Sequence, residues 1–197
     1  MTDAELVAQS LSGNVTAFNT LVRRWERPIY NFILRYAGNR EDARDLCQKT
    51  FIRAYGSLKR LRDTQKFAAW LYRIALNTCR DAGRSRSRQP VSLDALQEDA
   101  AFESLPEMAT PPDTYPDALA HESRVRTLLN RALQTIPEEQ RVVIIMKEYQ
   151  GLKFSEIAEA LEVPLNTVKS RMYYGLNALR KVFDQWNINE EMVRYEL

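Results

Sequence analysis

Residues 67–88, FAAWLYRIALNTCRDAGRSRSR, hold the side chains best suited to gripping a charged partner. At helical spacing Arg73, Asn77, Arg80 and Arg84 share one stripe, while Phe67, Leu71, Ile74 and Thr78 share another. The first stripe gathers three guanidiniums and an amide with Asp81 as the nearby acid, and Arg86 and Arg88 prolong the charge. Such a density of cations suits a polyanion. Trp70 falls at the edge between the stripes, where an indole can complete a core or stack on an unpaired base. Any one of these arginines alone reads more simply as the solvated face of a buried helix. Their clustering favours nucleic acid.

Covalent chemistry finds no comparable cluster. One histidine, His121, no glycine-rich phosphate loop and no carboxylate pair set in a cleft leave no group to assign as catalytic, so neither an enzyme nor a cofactor is expected. Cys47 and Cys79 lie far apart without a second pair, which builds neither a disulfide framework nor a zinc site of usual spacing. A reduced cytoplasmic setting is the expectation. The opening MTDAELVAQS lacks a basic and then apolar leader, and no run approaches the roughly 20 apolar residues of a membrane span.

The formal net charge of +2 conceals segregation. Lys59 to Arg88 carries nine Lys/Arg against two Asp, whereas Gln89 to Glu122 carries eight Asp/Glu and no Lys or Arg. Five prolines, Pro90, Pro106, Pro111, Pro112 and Pro116, fall in the acidic block, so it reads as a solvated linker. The basic block begins in a connection, Leu58 to Lys66, that reads as irregular and carries Lys59, Arg60, Arg62 and Lys66.

The elements that must position these groups are all helical by period. Asp3 to Ser12 is a short amphipathic segment ended by Gly13. Phe18, Leu21, Val22, Trp25, Ile29, Phe32, Ile33 and Tyr36 then recur at steps of three and four, and Pro28 predicts a kink or break near Trp25 to Pro28. After Gly38, Asn39 caps a helix from about Glu41 to Ser57 whose apolar side is Ala43, Leu46, Cys47, Thr50, Phe51, Ala54 and Tyr55. Beyond the linker, Val125, Leu128, Leu129, Ala132, Leu133 and Ile136 form one helix, and another runs from Pro137 through Tyr149 to Gly151.

The last stretch, FSEIAEALEVPLNTVKSRMYYGLNALRKVF, reads as a helix-turn-helix with its tight connection at Glu162-Val163-Pro164. Leu165, Val168, Met172, Leu176, Leu179 and Phe183 predict the buried stripe of the second helix. Its outward face offers Asn166, Ser170, Tyr173, Tyr174, Asn177 and Lys181, with Thr167 among them and Lys169 and Arg171 placed to grip phosphates. No acid stands between Pro164 and Lys181. The tail from Asp184 to Leu197, with Trp186, Ile188, Met192, Val193 and Tyr195, takes no assignment beyond a helix end or docking segment.

Asp45-Leu46-Cys47-Gln48 with Phe51 and Ala54-Tyr55, followed after the basic connection by Ala69-Trp70-Leu71-Tyr72-Arg73-Ile74-Ala75 and Asn77, resembles region 2 of extracytoplasmic-function (ECF) sigma factors. Glu156-Ile157-Ala158, Val163-Pro164 and Thr167-Val168-Lys169-Ser170-Arg171 resemble region 4 of the same family. The resemblance implies an all-α chain: residues 1–88 as region 2, 89–120 as a flexible acidic linker, 121–185 as region 4 and 186–197 as a tail. It implies that Asp45, Gln48 and Phe51 dock on the β′ clamp helices of core RNA polymerase, with the β flap as a further contact. Lys59, Arg60, Arg62, Lys66, Trp70, Arg73, Asn77, Arg80 and Arg84 would engage the minus-ten element, and the linker would thread toward the RNA exit path. Asn166, Thr167, Lys169, Ser170, Arg171, Tyr173, Tyr174, Asn177 and Lys181 would read the minus-thirty-five element. An anti-sigma factor is a further implied partner. Three positions depart from the family pattern: Lys49 stands for a usual Glu, Glu162 for a usual Gly, and Tyr173-Tyr174-Gly175 for a usual basic cluster. The competing expectation is an autonomous regulator, since LuxR-type proteins share the Ile-Ala and Thr-Val-Lys pattern; the N-terminal motif favours the sigma reading.

Overall fold

The computed structural model describes residues 1–88 and 127–188, and every regular element among them is helical. Helix α1 (Asp3–Leu11) opens with a capping box in which the Glu5 amide donates to Thr2 Oγ1 at 3.3 Å and the Thr2 amide donates to Glu5 Oε2 at 2.9 Å. Asn14 then caps α2 (Val15–Ala37), its Oδ1 accepting the Thr16 and Ala17 amides at 3.0 and 3.3 Å. Gly38, at φ 84°, ends α2 in the left-handed conformation that a side chain disfavours. Asn39 caps α3 (Arg40–Ser57) by accepting the Asp42 amide at 2.8 Å.

Of the kink or break expected at Pro28 the break does not occur, and the connection after α3 departs from expectation. Helix α2 continues through Pro28 without a break. Proline removes one backbone bond, at a cost of about 3 kcal/mol in a helix interior, and burial of Ile29, Phe32, Ile33 and Leu34 just beyond it offsets that cost. The connection after α3 is ordered rather than irregular, with 3₁₀ turns at Leu58–Arg60 and Thr64–Lys66. Buried Leu58 and Leu61 pin the connection, and Asp63 caps its second turn by accepting the Gln65 amide at 3.0 Å.

Helix α4 (Phe67–Arg88) follows directly. Phe67, Leu71 and Thr78 are buried as expected, joined by Ala69, Tyr72, Ala75, Leu76 and Cys79, so its apolar arc is broader than the predicted stripe. Trp25 ties three helices: its ring meets Phe67 and Tyr72 edge-on, at 6.2 and 6.0 Å, and its Nε1 donates to Asp3 Oδ2 at 3.1 Å.

In the C-terminal half, α5 covers 127–135 and Pro137 leads into α6 (Glu138–Ile144). That helix runs on as a π-helical turn (Ile145–Tyr149) before α7 (Phe154–Leu161) and α8 (Leu165–Gln185). Glu162 between α7 and α8 adopts φ 55° and ψ 42°, so the tight turn does place a non-glycine residue in the left-handed region, a strain of about 1 kcal/mol. The buried stripe of α8 is Val168, Met172, Gly175 and Leu179, whereas Leu165 and Leu176, expected inside, are 41% and 48% exposed. Gly175 shifts the stripe. It lets α6 approach α8 so closely that Ile144 and Gln140 occupy the space a larger residue at 175 would need.

Buried hydrophobic residues of both halves join in one cluster. Across the junction Tyr72 donates its hydroxyl to Gln150 Oε1 at 2.9 Å, the Gln134 amide donates to the Arg35 carbonyl at 2.8 Å, and the Arg35 guanidinium lies 4.3 Å over the Tyr149 ring. The expectations for the linker, for Val125 and His121, for the side chains of Arg86 and Arg88, and for Met192, Val193 and Tyr195 lie outside the described residues.

A Cβ on Gly175 would lie 2.8 Å from Ile144 Cδ1 and 3.1 Å from Gln140 Cβ. Gly175→Val should therefore destabilise the helix-turn-helix by about 2 kcal/mol, read as a lower urea midpoint by circular dichroism.

Candidate functional site

The cation stripe of α4 forms as predicted, because its opposite side is committed to the core. Asn77 and Arg84 are exposed, Arg73 and Arg80 are half-buried, and Lys59, Arg60, Arg62 and Lys66 are exposed on the connection before it. Asp81 is shared: it meets Arg84 of the stripe at 3.9 Å, while Arg53 of α3 donates to its carboxylate at 2.7 Å and to Thr78 Oγ1 at 3.3 Å. This pairing leaves no local signal in the sequence, because the bond spans 28 residues.

Trp70 is 8% exposed, so of its two expected roles it takes the core one in this arrangement. It lies at the wall of a cleft of about 710 Å³ between the two halves, with Arg60, Arg62, Lys66 and Arg73 on one side and Glu159, Glu162 and Pro164 on the other. Three predicted DNA cations are already paired across this junction. Lys66 Nζ meets Glu159 Oε1 at 2.6 Å, Arg73 pairs with Glu162, and Arg80 Nε meets Glu138 Oε1 at 2.8 Å.

The third pair is the most enclosed. Burial pushes the Glu138 carboxyl up, but hydrogen bonds from Arg80 and Tyr36 and the neighbouring guanidinium charges outweigh it and hold the group below its ordinary value of 4.5. Burial acts first on Tyr36 as well, and with Glu138 beside it raises the phenol far above its usual range. Both thiols, Cys47 and Cys79, are pushed up to about 12 chiefly by burial, which makes them packing residues rather than nucleophiles.

The second surface lies between α2 and α3. Gln48 is exposed there and Phe51 is 8% exposed, and both line a groove of about 890 Å³ with Phe18, Val22, Ile52 and Tyr55. Arg23, Arg27 and Arg44 stand on the same groove. Tyr55, expected on the buried side of α3, is 54% exposed and meets Phe18 edge-on at 4.9 Å. Asp45 lies outside the groove lining and is held by Lys49 at 2.5 Å, an i,i+4 pair on one helix face. The structure thus brings Gln48 and Phe51 together and leaves Asp45 on a neighbouring turn. Ile52 went unnoticed in the sequence because an apolar residue one step from a buried one carries no mark of exposure.

The third surface is α8. Asn166, Lys169, Ser170, Tyr173, Tyr174, Asn177 and Lys181 are exposed, and Thr167 is half-buried. Ser170 Oγ donates to the Thr167 carbonyl at 3.0 Å, and the rings of Tyr173 and Tyr174 meet edge-on at 5.5 Å. Arg171 departs from the expected phosphate grip. It is turned onto α6, pairing with Glu139 at 2.6 Å, and its side chain is 22% exposed. Asn177 and Lys181 stand roughly 16 Å or more along the axis from Asn166 at 1.5 Å per residue, so the face divides into a near and a far group.

Comparison with known proteins gives a consistent picture. The Sigma-70 region 2 family matches residues 21–89, and Sigma-70, region 4 matches residues 122–179. The chain is 33% identical over 173 residues to an ECF RNA polymerase sigma-E factor of Haemophilus influenzae, covering 88% of this chain and 90% of that protein. It is 31% identical over 183 residues to the RNA polymerase sigma-H factor of Pseudomonas aeruginosa, covering 91% of this chain and 92% of that protein. In fold it is similar to CnrH, solved in complex with the cytosolic domain of CnrY, with a TM-score of 0.68 at 24% identity over 93% of this chain and 97% of that one. A second likeness, with a TM-score of 0.66 at 20% identity over 86% of this chain and 98% of that one, is to the sigma factor RpoE of Bartonella quintana, solved with the anti-sigma factor NepR.

Because the folded Glu138 carboxyl lies below its ordinary value, its contribution is complete above pH 4.5 and is lost as pH falls through the lowered value. Urea midpoints should fall on acidification below about pH 5, and Glu138→Gln should flatten that slope.

Proposed function

We infer the division of labour in this protein from one premise: the chain belongs to the ECF family of RNA polymerase sigma factors. It is an alternative sigma factor that directs transcription initiation. Its two halves act on different parts of the promoter. Residues 1–88 dock on core polymerase and engage the minus-ten element, residues 89–120 link them to the helix-turn-helix of 121–185, and 186–197 form a tail.

The groove between α2 and α3 receives the β′ clamp helices, with Gln48 and Phe51 at its centre and Asp45 at its margin. The observation that carries this assignment is an apolar groove rimmed by arginines on the same half as the cation stripe, yet on different helix faces from it. Lys59, Arg60, Arg62, Lys66, Arg73, Asn77, Arg80 and Arg84 neutralise phosphates of the opened minus-ten element, with Trp70 beside an unpaired base once the cleft opens. The near group of α8, Asn166, Thr167, Lys169 and Ser170, enters the minus-thirty-five major groove. Tyr173, Tyr174, Asn177 and Lys181 lie farther along that helix, and Arg171 supports it from within. The β flap holds region 4. The protein supplies no reacting group of its own, works in the bacterial cytoplasm, and is held in check by an anti-sigma factor.

Run-off transcription with bacterial core polymerase on a pool of promoter fragments tests this directly. Specific initiation only when the protein is present is the expected result. Retention of specific duplexes by the protein alone, without transcription, would replace it with the autonomous regulator. Variants separate the surfaces: Gln48→Ala should weaken core binding by about 1 kcal/mol and leave the promoter sequence preference intact. Arg80→Ala should keep core binding, weaken promoter engagement by the holoenzyme and reduce its salt slope by about one charge.

A further inference from the structure

We propose that Arg53 of α3 is a further ligand for promoter phosphate and that Asp81, an acid set within a cation surface, is the residue that positions it. The inference rests on the reading of α4 as the minus-ten surface.

Three observations carry it. The first is the place of Asp81. It follows Asn77 by one turn, so it stands on the side of α4 that holds Arg73, Arg80 and Arg84, where a carboxylate repels the phosphates that its neighbours attract. On charge alone, an acid there weakens DNA binding. Its contribution lies in gathering cations: Arg53 Nη1 donates to Oδ2 at 2.7 Å, and Arg84 Nη1 lies 3.9 Å from Oδ1. Two guanidiniums around one carboxylate leave that spot positive.

The second is the seat beneath Arg53. Thr78 is 2% exposed and its hydroxyl donates to the Ile74 carbonyl at 2.8 Å, so the oxygen turns a lone pair toward Arg53 Nη1, 3.3 Å away. The hydroxyl and the carboxylate together fix one nitrogen of a side chain that otherwise samples many rotamers. A guanidinium carries five N–H donors, and one anchored through a single nitrogen keeps donors for an incoming phosphate. The Arg53 side chain is 48% exposed, so a phosphate can reach it.

The third is direction. At 3.6 residues per turn Arg53 lies about 140° around α3 from Gln48, away from the groove that Gln48, Phe51 and Ile52 line. The same helix therefore meets polymerase on one face and extends the cation surface of α4 from the other.

Holoenzyme assembled from bacterial core polymerase and the full-length protein tests this, on a labelled promoter fragment that the wild-type protein brings to specific run-off initiation. Promoter affinity is read by anisotropy across a salt series, and core affinity is measured alongside. Arg53→Ala should weaken promoter binding about fivefold, lower the salt slope by about one charge and leave core affinity unchanged. Arg131→Ala, the loss of a cation from an exposed position of α5, should change none of these. Asp81→Ala carries the diagnostic sign. Removal of an acid tightens DNA binding where charge alone matters, but here it should weaken binding about two- to threefold, and no further in an Arg53→Ala background. Arg53→Lys guards against misfolding: it keeps the charge and the slope but loses the fork, for about twofold weaker binding. An unchanged slope for Arg53→Ala, where Arg80→Ala lowers it, overturns the Arg53 assignment alone. If neither variant lowers the slope, the reading of α4 falls and the proposal with it. Tighter binding by Asp81→Ala overturns its positioning role, and a matching loss of core affinity in Arg53→Ala reduces the contact to a tie between α3 and α4 and overturns the proposal.

Discussion

The structure depends on the two-sidedness of α4. One arc of this helix, with Phe67, Leu71, Tyr72, Ala75 and Leu76, is almost wholly removed from water, and its other side carries Arg73, Arg80 and Arg84. A guanidinium cannot follow an aliphatic side chain into a core without a partner, because its desolvation outweighs what packing returns. The helix can therefore be buried along one arc only. That constraint aligns α2 and α3 beneath it, pins the preceding connection through Leu58 and Leu61, and leaves a line of cations facing whatever lies opposite.

Opposite that line lies the C-terminal half of the same chain, and the junction mixes two kinds of contact. Ion pairs at its rim are half-exposed and individually weak, whereas Tyr72 with Gln150 contributes a hydroxyl bond and Arg35 with Tyr149 a guanidinium–ring contact nearer the core. Charge thus decides alignment more than it decides stability. The same logic explains Arg171, which faces Glu139 within its own half and so steadies α8 against α6 instead of projecting outward.

Local rules were overridden where packing had more to offer. Pro28 remains inside a continuous α2, Glu162 stays left-handed, and the end of α6 widens into a π-helical turn that seats Ile145 and Met146 in the core. Gly175 works in the other direction: its missing side chain lets α6 approach α8 and rotates the buried stripe of the reading helix away from Leu165 and Leu176.

The sequence by itself determined the helices, their caps and the division of charge. Gly38 and Asn39, the alternation of Arg73, Asn77, Arg80 and Arg84 with the core stripe, and the acid-free run from Leu165 to Arg180 are all local patterns, and periodicity at 3.6 residues reads local patterns well. The family was legible for the same reason, since its motifs sit within single helices. Only the tertiary structure decided which charges meet. Arg53 with Asp81, Arg80 with Glu138 and Lys66 with Glu159 are separated by 28, 58 and 93 residues, and no spacing rule links them. The exposure of Ile52 and Tyr55 and the burial of Trp70 were likewise beyond local reach. An apolar side chain records its preference for burial, but which neighbour arrives to cover it is settled when the helices pack.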